Sequence, residues 1–121
     1  MTTDSPDWAR PVVHWEIQAR DQAKMRDFYM QMFNWNIADG PISAVSAGIG
    51  GVEADKFEGH ILPGDASRVL LWIQVRDLAT AMAQAEQLGG AIVAQPFDVP
   101  GGPTLSLIAD PEGNHIRLVQ Q

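Results

Sequence analysis

The sequence predicts an α+β fold in which two tandem β–α–β–β–β modules form curved sheets around a shared cavity. Three observations point to it. Ile17-Gln18-Ala19-Arg20-Asp21 is echoed 56 residues later by Ile73-Gln74-Val75-Arg76-Asp77, and each phrase closes an apolar run and opens a helical one. Apolar residues at helical spacing follow each phrase. Clusters of Gly, Pro and Asn then punctuate short β-rich runs. Units this small bury little alone, so pairing them would bury a common face and leave a concave seam for a ligand.

The elements follow in order. Residues 1–10 are a polar arm, with Trp8 available to dock on the body. From Pro11 to Gln18 the chain is β-rich, and His14, Glu16 and Gln18 alternate with Val13, Trp15 and Ile17, so the polar set shares one face. Asp21 is an N-cap, and Met25, Phe28, Tyr29, Met32 and Phe33 form the stripe of an amphipathic helix. A strand from Trp35 to Asp39 and a Gly40-Pro41 turn come next, then short strands over Ile42–Ala47 and Gly51–Asp55. Phe57 to Ser67, with Pro63-Gly64, reads as an inter-module linker.

The second unit repeats the plan. Val69–Val75 is a strand and Asp77 an N-cap, with Leu78, Ala81, Met82, Ala85 and Leu88 as the buried stripe. Gly89-Gly90 ends the helix by supplying left-handed conformations. Ala91–Ala94 is the next strand, and Asp98–Pro103 is a Gly/Pro loop whose Val99-Pro100-Gly101-Gly102-Pro103 segment could act as a lid. Thr104–Ala109 and His115–Val119 form a hairpin around Asp110-Pro111-Glu112-Gly113-Asn114. The modules therefore span 12–56 and 68–120 of one domain covering 1–121.

Composition excludes several function classes. At 121 residues the chain is one domain's worth, long enough for a core. The absence of cysteine removes disulfide scaffolding, thiolate catalysis and Cys-ligated zinc. A net charge of −7 argues against nucleic acid, whose phosphates need clustered Lys and Arg. No apolar run approaches a membrane span and Met1 to Arg10 lacks a signal-peptide core, so the expectation is a cytoplasmic protein with no membrane partner.

The phrases Val13-His14-Trp15-Glu16-Ile17, Phe28-Tyr29 through Phe33-Asn34-Trp35, Val75-Arg76-Asp77-Leu78, Leu88-Gly89-Gly90 and Asp110-Pro111-Glu112-Gly113-Asn114 carry a resemblance. Over residues 12–120 the chain resembles the vicinal oxygen chelate superfamily, which includes glyoxalase I, bleomycin-resistance proteins, fosfomycin-resistance enzymes and extradiol dioxygenases. The resemblance implies a cavity between two curved sheets and a homodimer. It also implies four metal-ligand positions, which carry over to His14, Glu53, Leu70 and Arg117 of this sequence. Leucine has no donor atom and arginine is a permanent cation, so two of the four are abolished. The expectation is therefore no cofactor, with a divalent metal on His14 and Glu53 as the alternative. An iron site would need His14, a carboxylate such as Glu53 or Glu16, and one of the two other histidines, His60 or His115.

Among the candidate site residues, Arg117 would bind a carboxylate, phosphate or enolate, or else pair internally with Glu16 or Glu53. His14 would act as general acid or base, oriented and made more basic by Glu16 or Glu53. Trp72 is the expected stacking platform for a planar ligand, with Gln18, Gln74, Leu70 and Glu53 completing the wall. The sequence ranks binding of a small organic molecule, planar or charged, ahead of chemistry. The alternative is a lyase, isomerase, epimerase or dioxygenase that uses His14 as acid/base or metal ligand.

Overall fold

The computed structural model describes residues 10–46 and 57–120. Two aspartates start the helices as expected. Asp21 accepts from Lys24 N at 3.1 Å and opens α1 (Gln22–Phe33). Asp77 accepts from Thr80 N at 2.8 Å and opens α2 (Leu78–Gln87). Each cap satisfies an amide that the first helical turn leaves unpaired. At the far end of α2, Gly89 takes φ +93°, which an L side chain resists, and its amide and that of Gly90 close on Glu86 and Ala85 carbonyls. In α1 the same left-handed role falls to Asn34.

The strands are β1 (Val12–Ala19), β2 (Ala44–Val45), β3 (Gly59–Pro63), β4 (Arg68–Val75), β5 (Ala91–Asp98), β6 (Thr104–Ala109) and β7 (His115–Gln120). They make one seven-stranded open sheet in the order β2-β3-β1-β4-β7-β6-β5. β1 and β4 run antiparallel at its centre, with His14 opposite Trp72 and Glu16 opposite Leu70. Each of these strands has a parallel neighbour: β3 beside β1, with Glu16 beside His60, and β7 beside β4, with Trp72 beside Arg117.

Side-chain alternation then divides the sheet. Trp15, Ile17, Ala19, Ile37, Val45 and Ile61 pack with Met25 and Tyr29 of α1. Ile73, Val75 and Leu118 pack with Leu78 and Met82 of α2. Both helices therefore cover one face, and His14, Glu16, Gln18, His60, Leu70, Trp72, Gln74 and Arg117 point to the other. Among the described residues that second face carries no helix.

Several sequence expectations are corrected here. The stretch 57–67 is not a linker only, because it contains β3, which holds the β1 edge through five register pairs. Strand Trp35–Asp39 reduces to a single bridge, Ile37 to Val45, and Ile42–Ala47 to the two residues of β2. Trp8, Glu53 and the strand expected over Gly51–Asp55 lie outside the described residues. The helix stripes bury less than their periodicity suggests. Phe28, Met32 and Phe33 of α1 stay more than half exposed, because beyond β3 the only described strand is the two-residue β2. Leu88, 69% exposed, sits on the C-cap and turns away from the sheet. Val69 and Leu71, on the helix side of β4 near the middle of the sheet, are exposed as well.

The Val99–Pro103 loop is a hydrogen-bonded turn between β5 and β6, with Val99 N donating to Pro103 O at 3.0 Å and Gly102 N to Val99 O at 2.7 Å. The Asp110–Asn114 turn is held by its own aspartate, which accepts from the amides of Glu112 and Asn114.

One contact in the first core depends on a missing side chain. The Trp15 indole lies flat on Gly59, so that a Cβ there would overlap Cδ2 and Cε2 of the ring. Trp15 in turn meets Trp35 at 5.3 Å, and Trp35 stacks on Tyr29 at 4.9 Å. Gly59→Ala is expected to lower stability by about 2 kcal/mol or more, since overpacking must shift either the indole or β3. Chemical denaturation read by tryptophan emission would measure it; an unchanged midpoint would mean the ring is free to move.

Candidate functional site

On the helix-free face the neighbouring strands bring together a carboxylate, two imidazoles and an indole. Glu16 is 1% exposed. Its Oε1 accepts from Trp72 Nε1 at 3.0 Å and lies 3.2 Å from His60 Nε2, while Oε2 accepts from Gln18 Nε2 at 2.6 Å. His60 in turn reaches His14, Nδ1 to Nε2, at 2.8 Å. Both imidazoles meet Trp72 edge-on, at 4.8 and 5.4 Å between centroids.

The electrostatics follow from these contacts. Burial works to raise the Glu16 pKa, but the His60 hydrogen bond, those from Gln18 and Trp72, and the His60 charge outweigh it and hold it at about 2. Glu16 is therefore an ionised acceptor, and His60 Nε2 must carry a hydrogen to face it. With His60 neutral, its Nδ1 is the acceptor and His14 Nε2 the donor. That tautomer leaves the lone pair of His14 on Nδ1, which has no partner among the described residues and is not one of the buried unpaired atoms. His14 itself is held below its ordinary value by burial first and by His60 second, against smaller raising effects of Glu16 and Glu58.

Arg117 sits beside this group. Its Cζ lies 5.9 Å from the Trp72 ring centroid and 5.6 Å from that of Phe97. Its Nε is buried and has no hydrogen-bond partner among the described residues.

Of the residues expected to form the site, His14, Glu16, Gln18, Trp72 and Arg117 come together, and Leu70 is buried opposite Glu16. Gln74 is half-buried, one alternation further along β4. Three expectations are corrected. Glu16 does not orient His14 directly, because His60 stands between them, and His14 becomes less basic rather than more. Arg117 forms no ion pair with Glu16, whose oxygens are taken by Trp72, His60 and Gln18. Trp72 is not a bare stacking platform, since Arg117 approaches its ring. Sequence reasoning left out Phe97, and it considered His60 only as a metal ligand, not as the partner of Glu16. The signal for His60 was its β-branched and apolar neighbourhood, His60-Ile61-Leu62, which Pro63-Gly64 disguised as linker.

Comparison with known proteins then decides the family. The profile of the glyoxalase-like domain matches residues 5–119. The chain belongs to that family, within the vicinal oxygen chelate superfamily. Solved structures share its fold at low identity. A Mn(II)-bound glyoxalase from Novosphingobium aromaticivorans superposes with a TM-score of 0.63 at 15% identity, covering 92% of this chain and 39% of the other. Methylmalonyl-CoA epimerase from Mycobacterium tuberculosis gives 0.59 at 14% identity, covering 94% and 92%. A glyoxalase/bleomycin resistance protein/dioxygenase superfamily member from Vibrio splendidus 12B01 gives 0.61 at 12% identity, covering 88% and 96%. No curated protein matches the chain. No helix among the described residues is long and apolar enough to cross a membrane.

The superfamily implies a metal, and among the described residues the implied positions do not fit one. Leu70 offers no lone pair and Arg117 repels a cation. Glu16 and His14 bind opposite nitrogens of the His60 ring, so the three do not converge on one point. No group of three or more His, Asp or Glu among the described residues could hold an ion.

The buried carboxylate makes stability pH-dependent. The folded value of Glu16, about 2, lies below its ordinary 4.5, so its contribution is complete above 4.5 and lost as pH falls toward 2. His14, also depressed in the fold, acts in the same direction below 6.5. Thermal melts from pH 7 downward should show Tm falling in two stages, the Glu16 stage amounting to about 3 kcal/mol. Glu16→Gln should be less stable at neutral pH and flatten the lower stage. An identical acid limb in this variant would mean that Glu16 is not held ionised.

Proposed function

We propose that this glyoxalase-like domain binds a small organic molecule on its helix-free face, without a metal, and that His14 exchanges a proton with it. The observation that supports this is the chain Glu16–His60–His14, in which the tautomers follow from an ionised carboxylate. The chemistry is that of a lyase, isomerase or epimerase, and an epimerase is among the proteins that share the fold.

The relay explains how a weakly basic imidazole can serve as a base. His14 Nδ1 takes a proton from a C–H or O–H of the bound molecule, while its Nε2–H passes to His60 Nδ1. His14 ends neutral, and the positive charge rests on His60, 3.2 Å from the Glu16 carboxylate. A charge that burial would penalise on His14 is thereby stabilised one residue away, by a fixed counter-charge. Return of the proton from His14 to a neighbouring atom completes an isomerisation, and return to the same carbon after the planar intermediate has turned its other face to His14 completes an epimerisation. His60 is a positioning residue here, because it acts through His14.

A second reading is binding alone, with the relay serving only to fix Trp72 and the face around it. It is favoured by the saturation of Glu16, which looks the same in a structural role. Exchange of substrate protons with solvent deuterium, followed by NMR over a panel of small carbonyl compounds and 2-substituted acids, separates the two. In the enzymatic reading some member exchanges, and His14→Ala slows it by about 100-fold or more with affinity largely kept. His60→Gln should slow exchange less and move its pH profile. If compounds bind but none exchanges, and Trp72→Ala weakens them more than His14→Ala, the protein is a binder.

A further inference from the structure

We propose that Arg117, held between Trp72 and Phe97, is the subsite for the carboxylate of a small organic acid. This rests on the reading that the helix-free face is where the ligand lies. Three observations point to it. The Nε–H of Arg117 is buried and has no acceptor among the described residues. A buried guanidinium donor without an acceptor is costly, and an anionic ligand removes that cost. Glu16, the buried carboxylate of this face, is not available to take the ligand's place, because Trp72, His60 and Gln18 already bind it.

The guanidinium is also held in place before any ligand arrives. Trp72 is pinned by its hydrogen bond to Glu16, and Phe97 comes from the end of β5, so the Cζ is bounded by one ring at 5.9 Å and another at 5.6 Å. A pre-positioned fork loses little rotamer entropy on binding and suits a planar, two-oxygen acceptor. One guanidinium balances a monoanion. A phosphate dianion would keep one charge unmatched close to Glu16, which favours a carboxylate. Trp72 touches both Arg117 and His14, so an acid anchored at Arg117 would present its adjacent carbon toward the relay.

Matched probes test this. Benzoate and a series of short aliphatic carboxylates would be titrated against their uncharged amides and against inorganic phosphate. Binding would be followed by NMR at Arg117 Nε–H, Trp72 Nε1–H and the His14 ring. At least one carboxylate is expected to shift all three, with its amide and phosphate weaker by about tenfold or more. Arg117→Gln should abolish that preference. Arg117→Lys, which keeps the charge without the fork, should lose most of it with the fold retained by circular dichroism. Equal binding of acid and amide at Trp72 and His14, unchanged in both variants, would overturn the anion subsite and leave the binding face standing. Preference for phosphate would overturn the carboxylate assignment. No shift at any of the three groups with any probe would overturn the binding face together with the subsite.

Discussion

A single ionised carboxylate at the centre of the sheet organises everything on its open face. Glu16 lies on β1, between β3 and β4, and accepts one hydrogen bond from each of those strands as well as one from its own. The sheet supplies three donors for one buried charge, which is what allows a carboxylate to remain ionised at 1% exposure. The consequences spread outward from there. The bond to His60 sets which nitrogen of that ring carries hydrogen, and through it the tautomer of His14. The bond to Trp72 fixes the indole against which Arg117 rests. Without the carboxylate, His60 Nε2 and Trp72 Nε1 would be left as donors without that acceptor.

The same face differs in charge from the metal site that the superfamily implies. Leu70 closes one of the ligand positions implied by the superfamily with apolar bulk, and Arg117 puts a fixed positive charge at another. A divalent cation would meet electrostatic repulsion there. An organic anion would meet attraction. The acidic end of the relay and the cationic end of the face stand on either side of Trp72, so the ring separates two opposite charges that would otherwise pair and neutralise each other.

The helices are less embedded than their sequence pattern implies. Only Met25 and Tyr29 of α1 reach the first core, which is completed by the stack of Trp15, Trp35 and Tyr29 over the bare backbone of Gly59. Aromatic packing on a glycine thus stands in for the broad apolar stripe that α1 displays but does not bury.

Much of this was legible from the chain alone. The echo of Ile17–Asp21 in Ile73–Asp77 located two strands and two N-caps, because capping and alternation act over a few residues and leave local marks. Alternation along β1 also placed His14, Glu16 and Gln18 on one face. What the sequence could not determine is which strand lies beside which, and hence who meets whom. His60 became Glu16's partner only because β3 pairs with β1 in parallel, a contact 44 residues distant in the chain and set by the register of the whole sheet. Phe97 reached Arg117 for the same kind of reason, through irregular pairing along β5 and β6. The direction of the His14 shift followed from tertiary structure too, since burial and a neighbouring imidazole outweighed the carboxylate that sequence proximity favoured. Local chemistry is written in neighbouring residues; pairing across strands depends on the free energy of the assembled sheet, and only the folded chain decides it.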